Sequence, residues 1–133
     1  MPIGRPQSGP ILQPASGVFR APLSERCELT TDRDRSEGIT WNVSTLGAYV
    51  ALEKNTPELG RKLRLSFRLE GDRLPIICEA EVRWENPPSA LDGYGSLAGG
   101  LPPGCGLKFL WMAEPDRRRI EAYVNAVRQR RLT

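Results

Sequence analysis

At 133 residues, 39% of them hydrophobic and 26% charged, the chain has material for one ordinary domain with a real core and too little for two. The net charge of +3 is local: segment 113–133 holds six of the 19 basic and three of the 16 acidic residues, leaving 13 of each elsewhere. A formally neutral body argues against a general nucleic-acid-binding face.

No run approaches the roughly 18 apolar residues of a membrane span, and the start lacks a signal-like stretch. The expected location is cytoplasmic. The absence of histidine, and three cysteines without CxxC spacing, disfavour a zinc site or a disulfide framework. Cys27, Cys78 and Cys105 each fall in an apolar or alternating segment and read as small buried hydrophobes.

In chain order, residues 1–22 carry Pro2, Pro6, Pro10, Pro14 and Pro22 among Gly, Ser and Gln, which reads as a flexible arm, with the domain running from 23 to 133. Residues 27–31 suit a first strand, closed by the charged turn 32–38. Two β-like runs, 38–44 and 47–52, flank a turn at Ser44, Thr45, Leu46 and Gly47. Segment 61–69 alternates cleanly, with Leu63, Leu65, Phe67 and Leu69 on one face. After a tight turn at 70–72, the run 74–84 resumes, with Cys78, Ala80, Val82 and Trp84 expected inward.

Segment 86–103 holds too many prolines and glycines for an element and reads as a long flexible loop. A last strand follows at 106–112. Pro115 suits the first turn of a helix spanning about 114–130, whose apolar stripe is Ile120, Tyr123, Val124 and Val127. Six short strands and one amphipathic terminal helix point to a small antiparallel β-barrel. Trp84 and Trp111 are expected to fill its core, and Trp41 to sit either in the core or at a contact surface.

Four motifs in this order resemble the PilZ family. They are Arg20-Ala21-Pro22-Leu23 before the first strand, Asn42-x-Ser44-x-x-Gly47-x-Tyr49-Val50, Glu81-Val82-Arg83-Trp84, and Gly104-Cys105-Gly106-Leu107-Lys108-Phe109 ahead of the closing helix. The resemblance covers roughly residues 16–128. It implies a six-stranded barrel that binds the bacterial messenger cyclic di-GMP, or a relative that has lost the ligand and works by protein contact.

A ligand with two phosphates and two guanines calls for guanidinium forks, which the family supplies as Arg-x-x-x-Arg on the arm. Here the motif is degenerate. With Arg20 as its second arginine, the first position is Ser16, and the arm's other arginine, Arg5, is too far away. Arg64 and Arg68 match the spacing, but lie on a strand's polar face and are read as a coincidence.

By resemblance, Arg20, Asn42, Ser44 and Gly47 are the ligand-binding set. The same residues also make sense as a plain β-turn, with Asn and Ser bonding to backbone and Gly47 supplying a positive φ. Arg117, Arg118 and Arg119, near a helix N-terminus that disfavours positive charge, and Trp41 beside the motif are candidate partner contacts.

Catalysis finds little support, because nucleophilic chemistry lacks its usual base and the carboxylates sit in turns and outward positions. No cofactor is required; the candidate ligand is cyclic di-GMP. The leading expectation is a non-enzymatic PilZ-like adaptor in a bacterial signalling, motility or polarity pathway, with weak or no cyclic di-GMP binding. A genuine cyclic di-GMP receptor is the alternative. A barrel binding single-stranded nucleic acid is a third reading, disfavoured by the neutral body.

Overall fold

The computed structural model describes residues 18–87 and 100–132. Six strands run in chain order: β1 (Ala21–Thr30), β2 (Arg35–Val43), β3 (Gly47–Ala51), β4 (Lys62–Phe67), β5 (Ile76–Asn86) and β6 (Gly104–Met112). They are followed by α1 (Glu114–Leu132). Every neighbouring pair is antiparallel, and the order β1-β2-β3-β6-β5-β4 closes on itself as a barrel. No helix among the described residues is long and apolar enough to cross a membrane.

Alternation decides what the barrel encloses. Leu63, Leu65 and Phe67 of β4, Ile76, Cys78, Ala80 and Val82 of β5, and Ala48 and Val50 of β3 are all buried in one cluster. Phe67 and Phe109 stack within it at 6.3 Å between ring centroids. Helix α1 adds Ile120, Val124 and Val127, the expected stripe, while Tyr123 packs partly against the same cluster. All three cysteines are buried free thiols.

Strand β1 begins at Ala21, six residues ahead of the expected start. The register explains why: Pro22 pairs with Asn42 and Glu25 with Thr40, so Leu23 and Ser24 form a bulge that breaks the period. Pro22, which cannot donate to a ladder, is tolerated beside that break. Of the expected arm, residues 1–17 lie outside the described residues, as do residues 88–99 of the expected loop.

Two tryptophan expectations are corrected. In β6, Phe109 opposes Ala80 but Trp111 opposes Glu79, making Leu110 an extra residue that reverses the faces; Met112 turns inward and Trp111 is 61% exposed. In β5, the shift between Val82 and Trp84 does the same at Arg83, and Trp84 leaves the core cluster to lie half-buried against Tyr49.

Candidate functional site

The turn between β2 and β3 is built on one hydroxyl. Ser44 Oγ accepts from the backbone N–H of Leu46 at 3.1 Å and of Gly47 at 3.2 Å, and donates to the Gly47 carbonyl at 3.4 Å. The Ser44 N–H also donates to that carbonyl, at 2.8 Å. Ser44 has no exposed surface, so its side chain is spent inside the turn.

Gly47 is needed for a different reason from the one expected. Its backbone is not among the left-handed glycines. A Cβ there would stand 2.1 Å from the Leu107 carbonyl oxygen, because the turn presses against β6, where Phe109 N–H donates to the Leu46 carbonyl.

Asn42 looks outward, and the registers extend its position into a row across the barrel surface. It pairs with Pro22 on β1 and Tyr49 on β3; Tyr49 pairs with Gly106 on β6, and Gly106 with Trp84 on β5. The Trp84 indole fills the space above Gly106, where a Cβ would come within 2.0 Å of Nε1, and stacks on Tyr49 at 5.3 Å. Tyr49 donates its hydroxyl to the Pro102 carbonyl and accepts from Asn86 Nδ2 at 3.0 Å. Burial pushes the Tyr49 hydroxyl up to about 12, with the Asn86 bond opposing the rise.

Arg20 meets Asn42 at the end of this row. Its Nη1 donates to Asn42 Oδ1 at 3.2 Å, while its Nε is buried without a hydrogen-bond partner among the described residues. Burial lowers its pKa from the ordinary arginine value. Of the four expected ligand residues, Arg20 and Asn42 thus form a contacting pair on the outer surface, whereas Ser44 and Gly47 serve the turn.

The PilZ domain family model matches residues 18–126, most of the chain. The chain belongs to the PilZ family. Among solved structures, the Bacillus subtilis inhibitor of motility MotI/DgrA is similar over 91% of this chain at 20% identity, with a TM-score of 0.64; the chain spans about half, 52%, of that protein. The PilZ domain of Escherichia coli YcgR, solved with cyclic di-GMP, is similar over 86% of this chain and 92% of its own length, at 17% identity and a TM-score of 0.61. No curated protein matches the sequence. At these identities the two structures establish the shared PilZ fold.

The candidate partner residues of this PilZ domain divide. Trp41 is the extra residue of a β2 bulge, between the pairs Thr40–Val50 and Asn42–Tyr49, and is 41% exposed beside Asn42. Arg119 is committed to the fold: it bonds Asp116 at 3.0 Å, Asp72 at 3.0 Å and the Leu74 carbonyl at 2.6 Å, tying α1 to the β4–β5 connection. Arg117 and Arg118 meet Glu114 at 3.8 and 3.5 Å.

Sequence reasoning missed the outer cluster of Tyr49, Trp84 and Asn86. Tyr49 lies two residues after Gly47 in the motif, but only the register puts Trp84 beside it. A groove of about 1180 Å³ lies elsewhere; Arg26, Arg68 and Lys54 line it together with Glu28, Glu37 and Glu53, and none of the motif residues do. Its mixed charge and open shape give it no evident ligand chemistry.

Proposed function

We propose that this PilZ domain is a non-enzymatic adaptor that acts through protein contact in a bacterial signalling, motility or polarity pathway, binding cyclic di-GMP weakly or not at all. The observation that carries this reading is the state of the motif. Ser44 Oγ is saturated by three bonds within its own turn, and Asn42 Oδ1 is occupied by Arg20. Ser16 stands where the family pattern asks for the first arginine of its pair. Each missing charge-assisted contact to a phosphate or base lowers affinity by about 1.5–3 kcal/mol, roughly one to two decades.

Exposed Trp41, Leu46, Leu110 and Trp111 offer large apolar side chains of the kind that anchor protein contacts. A cytoplasmic setting is part of this reading.

Calorimetric titration with cyclic di-GMP tests the proposal. The expected result is no saturable heat at ligand concentrations up to about 100 μM in the unmodified protein, with binding gained in Ser16→Arg. Low-micromolar binding by the unmodified protein would falsify it. A cross-linked partner recovered by the unmodified domain should be lost from Trp41→Ala or Trp111→Ala; recovery undiminished in both counts against protein contact through these side chains.

One observation favours a second reading, a genuine cyclic di-GMP receptor using Arg20, Asn42, Ser44 and Gly47. The buried Nε of Arg20, unpartnered among the described residues, is a donor open to a ligand acceptor. Under that reading Arg20→Ala abolishes the low-micromolar binding.

A further inference from the structure

Arg20 lies just ahead of the sheet, whose first β1·β2 pairs are Ala21 with Val43 and Pro22 with Asn42. Residues 18–20 precede β1, and the β1·β2 ladder shifts register immediately after Pro22. Orientation of Arg20 therefore depends on whatever fixes the residues either side of it.

Both sides are fixed by the C-terminal helix. On one side, Phe19 packs partly against the core beneath the Arg131 guanidinium, which sits 5.8 Å from the ring centroid, within cation–π range. On the other side, the Tyr123 hydroxyl donates to the Pro22 carbonyl at 2.7 Å. Ala21 between them is fully buried. From between them Arg20 reaches across to Asn42 Oδ1 at 3.2 Å.

We propose that Tyr123 and Arg131 are positioning residues that hold Arg20 against Asn42, which makes the last turns of α1 a working part of the barrel rim. The helix and the β2–β3 motif are then coupled through the four residues Phe19 to Pro22. Whatever draws Arg20 away from Asn42 must strain the Phe19–Arg131 or Pro22–Tyr123 contact, and whatever displaces the end of α1 must release Arg20. The proposal concerns the free protein and stands apart from the choice between adaptor and receptor.

The test is nuclear magnetic resonance of the full chain, following the Asn42 side-chain amide and the Arg20 Nε–H. Tyr123→Phe removes only a hydroxyl, and Arg131 is exposed, so Arg131→Gln takes the cation off Phe19 without opening a cavity in the core. Each is expected to shift both signals by more than the control Arg128→Gln, an exposed site on the same helix. Arg131→Lys, which keeps a cation over Phe19, is expected to restore them in part. In an Arg20→Ala background the helix changes should no longer move the Asn42 amide.

Asn42 signals that stay at their original positions in both helix variants overturn the proposal. So do shifts of equal size with and without Arg20, which would mark general packing in place of positioning. Because no ligand or partner is present, a failed cyclic di-GMP titration or pull-down leaves this result untouched, and the reverse holds equally.

Discussion

A hydroxyl that accepts from two amides and donates to a carbonyl has no capacity left for a ligand, and Ser44 is in that condition. Ser44→Ala strands two N–H groups in a closely packed turn, so it is expected to lower unfolding stability by about 1–3 kcal/mol, read by urea denaturation. Gly47→Ala should cost at least as much, since the Leu107 carbonyl it would strike is backbone and cannot swing aside. Asn42, Ser44 and Gly47 were legible in the sequence as a group gathered at one turn. What the sequence hid was the division of labour: Asn42 reaches Arg20, Ser44 is consumed, and Gly47 answers to a strand some sixty residues later, a neighbour that turn chemistry does not reveal.

The elements were easier to read than their faces. Strand β4 and helix α1 followed their periods, because each buries one regular side. Bulges defeated the tryptophans: one extra residue at Leu110 or Arg83 reverses every side chain beyond it, and nothing local in the sequence announces it. Charge patterning near Arg117 was legible only as a cluster, and the structure separates its members. Arg119 bridges α1 to Asp72 and Leu74 in the β4–β5 connection, while Arg118 meets the exposed Glu114 of its own helix. Arg119→Gln is therefore expected to lower thermal stability by about 1 kcal/mol at low salt and by less at high salt, and Arg118→Gln to have little effect. Equal effects of the two changes in calorimetric melts would contradict that assignment.

For the molecule as a whole, burial of weak acids sets the pH response. Burial pushes the Cys27 thiol up to about 11 and the Cys78 and Cys105 thiols to about 12, and Tyr49 rises to about 12. In the unfolded chain these groups ionise near 8.5 for Cys and 10 for Tyr. A raised folded pKa means the native state holds its protons longer. Their contribution is whole below about pH 8.5 and is lost as pH climbs through the window up to about 12. The urea midpoint at pH 10 is expected to fall below that at pH 8, with the native thiols slow to react with alkylating reagents at pH 8.

The closed strand order carries one more consequence, for how the chain is made. The seam between β3 and β6 joins residues 47–51 to 104–108, so the last strand to leave the ribosome is the one that shuts the barrel. Until it arrives, β3 and β5 each present an open edge of unpaired amides and carbonyls, an invitation to other nascent chains. Sequence-distant closure of this kind folds slowly, because loop entropy is spent before the contacts repay it. A premature stop ahead of Gly104 would thus release an open sheet with two sticky edges, a substrate for chaperones or proteases in place of a shortened barrel.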